Sequence, residues 1–291
     1  MSPPTDTMND VTSFEQTTSV TLVDDLTFDV HRAGPADGEP VLLLHGFPET
    51  SLAWEQVAGR LAEAGLQVFA VDQRGYSPGA RPDDVADYAT GTLATDVVRI
   101  ADELGLETFH LVGHDWGAAV SWVVAAEHGE RLRSLTAFSV PHLAAYGWAL
   151  TQDAEAAEKA AYIGLMRQAG KAEIVLLEDG ARRLREMYQG RVPEDVVERY
   201  VTHFSAPGAL TGALNWYRAM TADLNALPAV TVPTTYVWSD DDLAIGRAGA
   251  ERCHEFVTGD YRYVELPGVS HWILEEAPDA AAEAILDRVR G

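Results

Sequence analysis

Cysteine is almost missing from this chain: Cys253 stands alone among 291 residues, which excludes an internal disulfide and any cysteine-built metal or redox centre. Lysine is nearly as scarce, with Lys159 and Lys171 the only two, and 21 basic residues face 45 acidic ones for a formal charge of −24. A field of that sign repels nucleic acid and anionic membrane surfaces, so neither is expected as a partner. No run approaches the roughly 20 apolar residues of a membrane span, and the polar residues 1–15 lack the apolar stretch of a signal peptide. A soluble, cytoplasmic protein with a frayed tail over residues 1–17 is expected. What is plentiful is apolar surface: 47% of the side chains, enough over this length for one large α/β domain with an insertion.

Past the tail, residues 18–23 and 26–32 are β-rich around Asp24-Asp25, the pattern of an antiparallel hairpin at a sheet edge. Strand-like runs at 40–44, 67–71, 108–112 and 132–138 then alternate with helical patterns at 51–64, 92–104 and 116–127. Such alternation predicts a mostly parallel sheet covered by helices. Over residues 141–227 the β signal disappears and Ala, Leu, Arg and Glu recur at helical spacing in about four segments, the composition of a helical cap. Alternation resumes over 228–291, with strands at 234–239 and 261–266 and helices near 247–256 and 279–290. The cap is therefore inserted into one core, 18–140 with 228–291.

The segment that carries the chemistry is Phe109-His110-Leu111-Val112-Gly113-His114-Asp115-Trp116-Gly117-Ala118-Ala119. An apolar strand runs into Gly-x-Asp-x-Gly and out into a helix of small residues, the context of a nucleophile elbow. Serine usually occupies the apex; here it is Asp115. A lone aspartate at a helix start is more often a cap, but glycines on both sides favour a nucleophile. A carboxylate attacking an acyl carbon would give a reactive anhydride, whereas attack on a saturated carbon gives an ordinary ester. Asp115 thus points to substitution at an alkyl carbon followed by ester hydrolysis.

Ester hydrolysis needs a base, an acid to orient it and an oxyanion site. Gly268-Val269-Ser270-His271-Trp272 follows the last predicted strand, which puts His271, of nine histidines, on a loop at the carboxyl edge of the sheet where such folds place ligands. Asp240, Asp241 and Asp242 follow the strand before it, and spacing favours Asp242 as the orienting acid. The other two would cap a helix or meet solvent. Ser139-Val140-Pro141-His142, after the earlier strand, offers no acid. Leu44-His45-Gly46-Phe47-Pro48-Glu49 leaves a strand through glycine, so the amides of Phe47 and Trp116 are the candidate oxyanion donors.

His45-Gly46-Phe47-Pro48, Asp72-Gln73-Arg74-Gly75-Tyr76, Gly113-His114-Asp115-Trp116-Gly117 and Ser270-His271-Trp272 together resemble the epoxide hydrolases and haloalkane dehalogenases of the α/β-hydrolase superfamily. The resemblance covers nearly the whole chain after the tail. It implies the α/β-hydrolase fold with an inserted cap and no metal or organic cofactor. In epoxide hydrolases of this fold two cap tyrosines protonate the departing oxygen. Leu214-Asn215-Trp216-Tyr217-Arg218 resembles the segment carrying one, and Tyr162, eight residues before Gly170, resembles the other. Tyr146, Tyr188 and Tyr200 are expected only to pack. Ala169, where relatives often have proline, and Ser77-Pro78, where glycine is common, depart from the pattern.

The resemblance thus implies a cofactor-independent epoxide hydrolase acting on a small apolar epoxide and water. Phe47, Trp116, Trp148, Met166 and Trp216 are the expected pocket walls. A haloalkane dehalogenase would present an asparagine or second tryptophan N–H to the halide. Phe47 supplies none, and Trp148 keeps that alternative in view. A fluoroacetate-type enzyme would carry arginine where Trp116 stands. A silent small-ligand-binding protein of the same fold is the alternative from another class.

Overall fold

The computed structural model describes residues 14–221 and 226–291; most of the tail expected over residues 1–17 lies outside them. An eight-stranded sheet runs in the order β1-β2-β4-β3-β5-β6-β7-β8. Its edge is the antiparallel hairpin of β1 (Gln16–Thr21) and β2 (Thr27–Ala33), turned at Asp25 with φ 64°. From β3 (Glu39–Leu44) and β4 (Leu66–Val71) through β5 (Phe109–His114), β6 (Leu132–Phe138), β7 (Thr234–Asp241) and β8 (Tyr261–Ser270), every pairing is parallel. All six residues of β5 are buried, as expected of a strand covered by helices on both faces.

The strand order dictates where a ligand can sit. The chain steps from β3 out to β4, then crosses back to β5 on the other side of β3. Right-handed crossovers in opposite directions put α1 (Glu55–Glu63) and α2 (Thr90–Glu103) on opposite faces. α3 (Trp116–Glu127) packs beside α2, and the last helix, Pro278–Val289, beside α1. Between the carboxyl ends of β3 and β5 a crevice opens at this reversal. The residues leaving those two strands are His45-Gly46-Phe47 and Asp115.

Between β6 and β7 the described residues are helical, in more and shorter pieces than four. They are α4 (Leu143–Gln152), α5 (Ala154–Lys159), α6 (Ile163–Met166), α7 (Lys171–Met187), α8 (Glu194–Ser205) and α9 (Ala209–Ala219). Local chemistry sets the breaks. Asp153 ends α4 and caps α5 by accepting from the Ala156 amide at 2.8 Å, an N-cap contact. α7 is two helices joined through left-handed Asp179, Gly180 and Ala181, with φ of 53°, 69° and 61°. Side chains dock these helices on the core, among them Tyr188, which donates to the Pro48 carbonyl, Tyr200, which donates to Glu275 Oε1 at 2.8 Å, and Trp216, whose Nε1 donates to the Arg74 carbonyl at 2.8 Å.

Candidate active site

Asp115 sits at φ 50°, ψ −117° between β5 and α3, a conformation that only a tightly packed turn sustains. The glycines make that packing possible. A Cβ on Gly113 would collide with the Gly117 carbonyl, and one on Gly117 with the Leu44 carbonyl. The turn therefore presses against the end of β3 and aims Asp115 into the crevice. The Phe47 amide donates to Asp115 Oδ1 at 2.9 Å, and the Trp116 amide also acts to lower the carboxylate pKa. Oδ2 lies 3.7 Å from His271 Nε2. Burial raises the Asp115 pKa, with the neighbouring His271 and His114 and the two amides opposing; the net direction is upward.

His271 follows β8, and its Nδ1 lies 3.0 Å from both carboxylate oxygens of Asp242. Burial alone would lower the imidazole pKa, but the Asp242 charge and hydrogen bond raise it above its ordinary value. Asp242, resisted by burial but held by His271, falls to about 2. The neighbouring acids are engaged elsewhere, neither as a helix cap: Asp240 accepts from the Gly268 amide at 2.6 Å and Asp241 pairs with Arg191 at 2.7 Å.

Tyr162 and Tyr217 come from separate cap segments, yet their rings approach edge-on at 6.1 Å and both line the cavity over Asp115. Burial pushes both phenols well above the usual value, and the Asp115 charge adds to it; Tyr217 raises Tyr162 further, whereas the hydrogen bond to Tyr162 works the other way on Tyr217. That cavity, about 420 Å³, is also lined by Phe47, Met166 and His271. Trp116 faces a smaller space on the other side of Asp115. Two expected wall residues are elsewhere. Trp148 is 37% exposed with the Arg252 guanidinium 4.2 Å above its ring, because α4 turns that face outward. Trp216 lies one layer behind the site: its N–H is committed to the Arg74 carbonyl, and its ring meets Trp116 at 5.7 Å.

Sequence reasoning missed three residues here. Ser139 donates to Asp242 Oδ2 at 2.7 Å and lies 3.1 Å from His271 Nδ1; its segment carries no acid, so nothing local marks it. His114 bridges Glu49 Oε2 at 3.0 Å and the His271 carbonyl at 2.9 Å. Both partners are acceptors, so both ring nitrogens carry protons. Although burial opposes it, the Glu49 charge raises the His114 pKa to about 9. Both residues stood inside quoted motifs, and only their contacts assign them work. Tyr146, expected to pack, lines the smaller space beside Asp115. Among the described residues no three His, Cys, Asp or Glu side chains converge as metal ligands.

Comparison with known proteins fits this geometry. A family model for the alpha/beta hydrolase fold matches residues 39–278. Epoxide hydrolase A of Mycobacterium tuberculosis is 32% identical, over 90% of this chain and 94% of its own length. The AB hydrolase superfamily protein YfhM of Bacillus subtilis is also 32% identical, over 91% and 95%. A solved structure from work on epoxide hydrolases in metagenomes from hot environments superposes with a TM-score of 0.85 at 28% identity, covering 96% of this chain and 99% of that one.

Proposed function

This chain belongs to the α/β-hydrolase family, among its epoxide hydrolases, and from that premise we propose that it converts an epoxide to a vicinal diol through an alkyl ester on Asp115. One observation carries the reading: Oδ1 of Asp115 already occupies the amide site of Phe47 while Oδ2 faces both His271 and the cavity of the two phenols. Oδ2 attacks an epoxide carbon, the carbon–oxygen bond breaks, and the departing oxygen takes a proton from Tyr162 or Tyr217. An epoxide oxygen leaves as a strongly basic alkoxide, so such an acid is required; phenols held neutral by burial are suited to it.

Oδ1 then becomes the carbonyl oxygen of the ester without moving. Water attacks the ester carbon and gives a proton to His271 Nε2, while the Phe47 and Trp116 amides hold the oxyanion. Collapse releases the diol, which takes the proton from His271. Hydrolysis leaves Asp115 ionised and frees one further proton, which restores the phenolate. Trp148, the residue favouring halide release, lies outside the cavity, so the dehalogenase reading has lost its candidate for a second donor beside Trp116.

Turnover of styrene oxide beside 1-bromobutane, with wild type and Asp115→Ala, tests the reading. Diol without bromide, abolished by the substitution, is the expected result; His271→Gln should accumulate an adduct heavier by one epoxide. Bromide without diol, or diol production by Asp115→Ala, would overturn it.

A further inference from the structure

Among the described residues two cavities meet at Asp115, Tyr162 and Tyr217, and they are very unequal. The larger is about 420 Å³ and the smaller about 30 Å³. By the measure in which roughly 10–15 Å³ admits one water, the smaller holds a substituent of about two heavy atoms. The larger falls in the size range of sites for drug-sized ligands. Because attack and protonation occur where the two spaces join, an epoxide must place its two carbons there with one substituent in each.

The walls differ in stiffness as well as in size. The smaller space is bounded by Ala119, Val140, Leu143 and Ile245, buried in the core, and by the half-buried Ile163 and Met220. Close-packed interiors yield little to an oversized group. Ile245 is tied further, because its amide donates at 3.0 Å to the same Asp242 Oδ1 that lies beside His271. Widening the space on that side would displace the acid that orients the base. The larger space is walled by Leu165, Met166, Val175, Leu176 and Met187, from α6 and the interrupted α7. Two methionines against one, and a broken helix, let these walls adapt more readily.

We infer that the enzyme takes epoxides bearing one bulky apolar substituent, the second epoxide carbon carrying hydrogen, methyl or at most ethyl. The small walls, Leu143 and Ile163 among them, exclude epoxides with two large arms. This substrate class rests on the epoxide reading above.

The test is a series of trans-disubstituted styrene oxides with hydrogen, methyl, propyl or phenyl on the second carbon, read as kcat/KM on the wild-type protein. The first two should lie within about tenfold of each other, and propyl and phenyl should fall by about 100-fold or more. Leu143→Ala and Ile163→Ala should each narrow the styrene-to-stilbene oxide ratio by about tenfold; as a ratio, it cancels any general loss from weakened packing. Propyl and phenyl members turned over within threefold of styrene oxide would overturn the inference. Calorimetric binding of 1-phenylethane-1,2-diol and 1,2-diphenylethane-1,2-diol to wild type separates it from the parent reading. If no epoxide is hydrolysed, the epoxide reading falls, yet the one-armed diol must still bind and the two-armed one must not. Equal binding, or no binding of the one-armed diol, overturns the asymmetry itself.

Discussion

Replacing Asp242 with asparagine should separate the two half-reactions. Asp242 Oδ1 accepts from the Ala244 and Ile245 amides at 2.7 and 3.0 Å, so an amide there must keep its oxygen in that place and turn its nitrogen to the Oδ2 position. That position lies 3.0 Å from His271 Nδ1 and 2.7 Å from Ser139 Oγ. An NH2 group only donates. The Oδ1 position is also 3.0 Å from Nδ1, but with the Ala244 and Ile245 amides it already has two donors; His271 should then present a bare Nδ1 to the new NH2 and carry its proton on Nε2, the atom 3.7 Å from Asp115 Oδ2. Protonated there, it cannot accept a proton from water. A wrong tautomer costs about 10⁴-fold in a serine triad, so ester hydrolysis should slow by about 10³–10⁴-fold, roughly 4–5 kcal/mol of barrier. Ring opening, as proposed, uses Asp115 and the phenols but no base, and should slow by less than about tenfold. Rapid mixing with styrene oxide followed by intact mass would show the ester forming at nearly the wild-type rate and persisting. Steady turnover within tenfold of wild type, or equal loss of both steps with no ester, would refute the reasoning.

Tyr162→Phe and Tyr217→Phe should each slow ring opening by about 10–100-fold, and together by about 10³-fold or more, leaving hydrolysis of a preformed ester unchanged; single-turnover kinetics read the two steps apart. Glu49→Gln strands a buried imidazolium and should cost about 3–5 kcal/mol of stability, measured by denaturant unfolding. With its pKa raised to about 9, His114 contributes stability that is complete below about 6.5 and lost as pH rises through about 9. Thermal unfolding from pH 6 to 10 should show that loss in wild type and not in Glu49→Gln. Gly46→Ala puts a methyl against the Asp115 side chain and should lower turnover by at least about 10²-fold with circular dichroism unchanged.

Much of the core was legible because its signals are local. Alternating apolar runs mark strands whose register then follows from their neighbours, and the glycines around Asp115 are demanded by contacts within one turn. The cap was legible as helix but not as segments: the break at Asp179-Gly180-Ala181 leaves no proline behind, and three successive left-handed residues go against local preference. Wall residues were least legible. Trp148 and Trp216 differ from Trp116 only in which way a helix face turns, which tertiary packing decides. Ser139 escaped for a related reason: the search there was for an acid, while the structure uses the position as a donor to the acid one strand over.

A carboxylate at the elbow makes an electrostatic demand that a serine does not. Kept from water, Asp115 stays ionised only with positive charge beside it, and the residue before it supplies one: His114, protonated by its contact with Glu49. His271, 3.7 Å from Oδ2, is the other neighbour whose charge favours the ionised form, and the Asp115 charge in turn helps raise the His271 pKa. Ester formation removes that charge while leaving the His114 charge in place. On the proposed mechanism the His271 pKa should therefore fall when the ester forms, which favours the free imidazole at the step that needs a base. At an effective dielectric of about 20, a unit charge about 4 Å away contributes roughly 4 kcal/mol before relaxation, so a downward shift of at least one pH unit is expected. The His271 titration followed by NMR in the free enzyme should then lie at least about one unit above the acid limb of ester hydrolysis in single-turnover experiments. Coincidence of the two would mean that Asp115 exerts no such control over its own base.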